Sequence, residues 1–232
     1  MKKVFISQSN YIPWKGYFDA INLADEFIIF DDMQFTKRDW RNRNKIKTKN
    51  GVQWISIPVE VKGNYHQKIN ETHIAEQAWA ENHWNSIIHN YSKASCFHDY
   101  RDIFQAAYSE VPYPKLSDVN FHFIKTICKI LGIKTKIRWS TEFQLLEGKT
   151  ERLVDLCRKT GAAEYLTGGA ARAYLNESLF AKENISIKYL DYSGYPAYNQ
   201  LFGEFVHEVS ILDLIFNEGK NAKKFMKSFA LT

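Results

Sequence analysis

Cysteine is scarce in this chain. The 232 residues hold three, Cys96, Cys128 and Cys157, and no two form a CxxC pair. An odd count without paired spacing argues against a disulfide framework. Cys128 and Cys157 fall in helix-like patterns and read as buried thiols. The seven histidines show no HxH or HExxH spacing, so the common zinc-binding arrangements are missing. No Gly-x-Ser-x-Gly elbow supports a hydrolase triad. No apolar run approaches the roughly 20 residues of a membrane helix. The opening, Met1 to Gln8, turns polar too soon for a secretory leader. A cytoplasmic location and no membrane partner are the expectation. Internal repeats, linkers and low-complexity segments are lacking too.

Aromatic residues, by contrast, are plentiful: 16 Phe, 13 Tyr and 6 Trp. Most belong to a core, and some are available to stack on a ligand. The net charge of +5 favours an anionic partner. It is modest and interleaved, so a phosphate-bearing small molecule suits it at least as well as nucleic acid.

Val4-Phe5-Ile6 reads as a buried strand, Gly16 to Ala24 as a helix, and Phe27 to Phe30 as a second apolar strand ending at Asp31-Asp32. A crossover of that length between apolar strands predicts a parallel sheet. Ligands of such sheets bind beyond the carboxyl ends of the strands, which brings Gln8–Tyr11 and Asp31–Lys37 together. Asn50-Gly51 before an alternating run, Val52 to Val59, predicts a hairpin. Residues 75–132 read as mainly helical, with a helix over Ser117–Leu131 stopped at Gly132. Beyond it come a strand at Lys136–Ser140, a helix at Glu151–Thr160, a strand at Ala163–Thr167, a helix at Ala170–Phe180 and a strand at Ile185–Tyr189. A short helix at Ser210–Phe216 stops at Gly219. The reading is one α/β domain over residues 1–232 with a helical insertion at about 75–132.

Four constellations carry chemistry. In the first strand–helix loop, Gln8, Tyr11, Trp14, Lys15, Gly16 and Tyr17 surround a helix start, a natural anion site. At the second strand's end stand Asp31 and Asp32, then Gln34, Lys37, Arg41, Asn42 and Arg43. The two carboxylates would face opposite sides of a continued strand, and they suit either ion pairs or a divalent cation with ligand phosphates. The arginines suit bidentate phosphate contacts, whereas Lys45, Lys47 and Lys49 read as a solvated basic face. A third loop, Gly168-Gly169 with Arg172 one turn on, is a weaker anion site, since it lacks Gly-Lys-Ser or Gly-Lys-Thr. Tyr198 and Gln200 suit sugar hydroxyls. Asp31, Asp32 and His83, the last between Trp79 and Trp84, are the candidate general bases.

The residues Gln8, Tyr11, Pro13-Trp14, Gly16-Tyr17-Phe18, Asp31-Asp32, Gln34-Phe35, Lys37 and Asn42-Arg43, with the later block Tyr165 to Arg172 and Asp191-Tyr192, resemble the WbqC-like family of bacterial polysaccharide gene clusters. That resemblance covers nearly the whole chain. It implies a glycine or aminoacyl transferase that acylates an amino sugar carried on a nucleotide, with the acyl donor on a carrier protein or a tRNA. It names no cofactor and no settled catalytic residue. A looser likeness is to nucleotidyltransferases that open with a strand, an HxGH loop and a helix. There Pro13 to Tyr17 takes the loop's place; only Gly16 corresponds, and Tyr17 stands where the second histidine belongs. The likeness implies a HUP-type parallel-sheet core. An ATP-dependent ligase or nucleotidyltransferase with magnesium at Asp31 and Asp32, and a non-catalytic sugar-nucleotide binding module, are the alternatives.

Overall fold

The computed structural model describes residues 1–112 and 114–231. In chain order the elements are β1 (Lys3–Ser7), α1 (Lys15–Leu23), β2 (Glu26–Ile29), β3 (Arg43–Thr48), β4 (Gly51–Ser56), α2 (Trp79–Tyr91), α3 (Phe97–Ser109) and α4 (Leu116–Leu131). There follow β5 (Lys136–Trp139), α5 (Lys149–Thr160), β6 (Glu164–Gly168), α6 (Glu177–Lys182), β7 (Ser186–Leu190) and α7 (Ile211–Glu218). Five strands form one sheet in the order β5-β2-β1-β6-β7, and every pairing is parallel. β3 and β4 form a separate antiparallel ribbon.

Alternation along β1 explains why both faces of the sheet are covered. Phe5 points into the larger core, with α1, the α2–α4 helices and α7. Val4 and Ile6 point the other way, into a smaller core with Leu153, Leu156 and Cys157 of α5 and Phe180 of α6. A strand buried on both faces needs a continuous apolar run, which Val4-Phe5-Ile6 supplies in β1 and Phe27-Ile28-Ile29 in β2. Helices α4 and α5 end where expected, at Gly132 and Gly161. Both glycines are left-handed, with φ 67° and 69°, and each donates its N–H back to the last turn. The Asn50-Gly51 hairpin is present, with Gly51 at φ 101°.

Two expectations need correction. Residues 170–180 do not form one helix. A 3-10 turn at Gly169–Ala173 is followed by α6, because the Asn176 side chain accepts the Ser178 N–H and starts a new helix. Lys47 is not solvated. It is buried, and its ammonium donates to Gln200 Oε1 at 2.8 Å and to the Glu204 carbonyl. Lys49 is exposed as expected. Cys128 and Cys157 are buried thiols. Among the described residues no helix is long and apolar enough to cross a membrane.

Candidate functional site

The chain runs outward from β1 to β2 to β5, then returns to lay β6 on the other side of β1. Neighbouring loops diverge at such a reversal and leave a crevice beyond the carboxyl ends of the strands. A cleft of about 910 Å³ opens there, lined by the ends of β1 (Ser7, Gln8) and β6 (Thr167, Gly168). Its other walls are Trp14 and Tyr17 from α1 and its loop, Trp40 and Arg41, and Lys149 and Arg152 from the first turn of α5. A smaller chamber of about 240 Å³ adjoins it, sharing Asn10, Trp14 and Trp40.

The loop joining β1 to α1 is held under strain. Ile12, a β-branched residue, sits at φ 36°, a region such side chains rarely occupy. Asn44 of β3 donates to the Tyr11 and Ile12 carbonyls, each at 3.0 Å. Ser210, the cap of α7, donates to the Ile12 carbonyl at 2.8 Å. The Tyr11 N–H donates to the Trp40 carbonyl at 3.1 Å. The ribbon and α7 together thus fix the segment that presents Trp14. Its indole packs edge-on against Tyr192 and Tyr195, with centroids 5.5 Å apart in both pairs. Gly16 serves this ring: a Cβ there would stand 2.4 Å from Trp14 Cζ2. Burial pushes the Tyr192 phenol up to about 12, so it is neutral at physiological pH.

Three cations face the cleft. Arg41 donates to Asn10 Oδ1 and lies 3.6 Å from Asp39. Arg152 pairs with Asp32, while its buried Nε has no hydrogen-bond partner among the described residues. Lys149 is exposed. Among the described residues the α5 N-cap, Gly148, makes no side-chain cap bond, and Glu151 stands in the helix's first turn. No carboxylate and no histidine belongs to the described lining of the large cleft. Glu208 lines the small chamber and pairs with Lys45 at 3.1 Å.

The sequence-predicted residues divide accordingly. Gln8, Trp14, Tyr17, Arg41 and Gly168 come together at the cleft. Asp31 is buried behind it, accepting from Ser9 N (2.7 Å), Ser9 Oγ (2.6 Å) and Ser117 Oγ (2.6 Å), so it ties β2 to β1 and α4. Asp32 turns the other way, to Ser140 Oγ and Arg152. The two carboxylates therefore diverge onto different elements. His83 is buried under Tyr11, whose hydroxyl lies 2.9 Å from Nδ1, and its Nε2 is 3.2 Å from the Ser56 carbonyl. A carbonyl only accepts, so Nε2 carries the proton and Nδ1 accepts from Tyr11. Burial lowers the His83 pKa from 6.5 to about 4.

The others lie outside both chambers. Tyr11 is in the core. Lys15 is buried against Tyr195, Tyr198 and Phe205, donates to the Pro196 carbonyl at 3.0 Å, and is lowered by burial to about 8. Gln34 donates to the Tyr65 carbonyl, and Lys37 lies over the Tyr65 ring. Asn42 donates to the Ile57 carbonyl. Arg43 stacks on Trp54, and Arg172 stacks on Tyr189 at 3.8 Å. Gly169 is exposed in the turn after β6. Tyr198 donates to the buried Asp213 at 2.7 Å, and Gln200 accepts from Lys47.

Sequence reasoning missed Lys149, Arg152 and Trp40. The first two stand three apart just after Gly148, a spacing that puts both on one helix face. Starting that helix at Glu151 hid the signal.

The sequence model of the WbqC-like protein family matches residues 8–225. A curated relative, the uncharacterized protein Rv1507c of Mycobacterium tuberculosis (strain ATCC 25618 / H37Rv), is 50% identical over 227 residues, covering 98% of this chain and 98% of its own. No solved structure matches the chain.

Proposed function

The chain belongs to the WbqC-like protein family, and on that premise we propose that it is a cytoplasmic transferase which acylates the amine of a nucleotide-linked amino sugar with an acyl or aminoacyl group. The observation that carries this reading is the cationic, aromatic cleft at the reversal of the parallel sheet. Its volume, about 910 Å³, suits a sugar nucleotide. Arg41, Lys149 and Arg152 supply charge for a diphosphate. Trp14 and Trp40 offer faces on which a base can stack. The parallel sheet, in the order β5-β2-β1-β6-β7, supports reading the core as nucleotidyltransferase-like.

Attack by the amine forms the new C–N bond. The donor's leaving group departs with the carbonyl's former bonding pair, and the amine's proton passes to water or to the leaving group. The cleft's part in this is to fix the sugar by its phosphates and base so that the amine meets the donor in a reactive pose. Asp31, Asp32 and His83 act in this reading through the fold, because their partners already hold them.

The test supplies purified protein with nucleotide-linked amino sugars and an activated acyl donor, and follows the sugar's mass. Gain of one acyl group by wild type, lost in Lys149→Glu, supports the reading. Turnover that requires ATP and magnesium instead would replace it with the ligase.

A further inference from the structure

The β3–β4 ribbon carries a surface beside the cleft. Lys45 lies directly opposite Trp54, and Arg43 opposite Ser56. Residues paired across antiparallel strands share a face. On that face the Arg43 guanidinium stands 4.1 Å from the Trp54 ring centroid. Lys45 Nζ lies 5.3 Å from the same ring and 5.6 Å from that of Trp40. The two indoles are 5.0 Å apart, tilted by 42°. Both are more than a third exposed, 36% for Trp40 and 39% for Trp54. Trp40 also lines both chambers of the site, so the platform runs into the cleft. Lys37 and Arg38 are exposed in the preceding loop. Acidic relief is slight: Asp39 lies by Arg41, and Glu208 by Lys45.

Exposed indoles interleaved with cations match a polyanion whose repeating units carry flat π-faces. An acidic protein would satisfy the cations and leave the indoles without a partner. A duplex keeps its bases stacked internally and would use only the charge. Unpaired bases on aromatic rings, with phosphates on flanking cations, use every group on the face. We propose that the ribbon docks a single-stranded nucleic-acid end, its bases on Trp54 and Trp40 and its phosphates on Arg43, Lys45 and Arg38. The terminal residue would then reach the cleft past Trp40. Docking itself stands apart from the transferase reading; only what the strand delivers, an acyl group on its end, rests on that reading.

The experiment measures anisotropy of a short labelled single-stranded RNA against wild type, Trp54→Ala and Trp54→Tyr. Its comparison probes are the same RNA annealed to its complement and a labelled poly-glutamate peptide. The expected result is preferential binding of the single strand, weakened about tenfold in Trp54→Ala and largely kept in Trp54→Tyr. Three phosphate contacts give a log–log salt slope of about −2. Absent binding at low salt, equal binding of poly-glutamate, or an unchanged Trp54→Ala overturns the proposal. Thermal shift with a nucleotide-linked sugar is recorded on the same samples. Loss of that shift in wild type alongside Trp54-dependent RNA binding would sink the transferase and leave the docking surface standing.

Discussion

Acidification should draw stability out of this fold through one imidazole. His83 is 7% exposed, its Nε2–H held by the Ser56 carbonyl and its Nδ1 by the Tyr11 hydroxyl, which in turn lies 2.7 Å from Tyr108. Its pKa falls from the ordinary 6.5 to about 4, with burial as the cause and the Ser56 bond acting weakly against it. The unfolded chain therefore takes up a proton as pH drops through 6.5, and the folded chain does not until pH nears 4. The folded state binds fewer protons across that window, so stability declines as pH falls and levels off below it. At about 1.4 kcal/mol per pH unit, the full loss is roughly 3 kcal/mol. Urea unfolding at neutral pH and near pH 4.5 measures it, on wild type and on His83→Gln. Glutamine can donate to the Ser56 carbonyl and accept from Tyr11, yet does not titrate. The variant should lose about 2 to 3 kcal/mol less than wild type between the two pH values. Parallel losses in the two proteins would refute the assignment of His83 to the fold.

Removing the Asp31 carboxylate in Asp31→Ala leaves three buried donors without their acceptor. This should cost about 3 kcal/mol or more by denaturant unfolding, with Asp31→Asn costing less than half as much. Gly16→Ala puts a methyl 2.4 Å from the Trp14 ring, so the indole must leave its place. Sugar-nucleotide affinity should fall by about tenfold in titration, with a loss of stability in the overpacking range of about 1 to 3 kcal/mol. Burial raises the Cys128 and Cys157 thiols to about 12, so iodoacetamide at neutral pH should mark Cys96 first and leave those two unmodified until the protein unfolds, as read by mass spectrometry.

Much of the frame was legible because it follows from periodicity and glycine. The apolar runs of β1 and β2, the helix between them and the stops at Gly132 and Gly161 each obey a local rule. The single helix expected over 170–180 failed because Asn176, a polar residue within a helical pattern, caps a new start instead. The site was legible where a strand end dictates it, at Gln8, Trp14, Tyr17, Arg41 and Gly168. It was illegible where distant elements meet. Lys149 and Arg152 reach the cleft only because α5 packs across β1, a contact absent from local spacing. The surroundings of the carboxylates and His83 were illegible for a shared reason: polar groups in an apolar setting signal either chemistry or a buried bond, and the partners that hold them, Ser117, Tyr11 and Ser56, lie far along the chain. Lys47 deceived likewise, its acceptors Gln200 and Glu204 being supplied by the late loop over the ribbon.

The claim at the centre is that Lys149 and Arg152 at the head of α5 hold the phosphates of a nucleotide-linked sugar. Isothermal titration of such a sugar nucleotide into wild type, Lys149→Glu and His83→Gln tests it most directly. The account predicts saturable binding to wild type and His83→Gln, weakened at least tenfold, about 1.4 kcal/mol, by the charge reversal at Lys149. Undiminished binding to Lys149→Glu would contradict it.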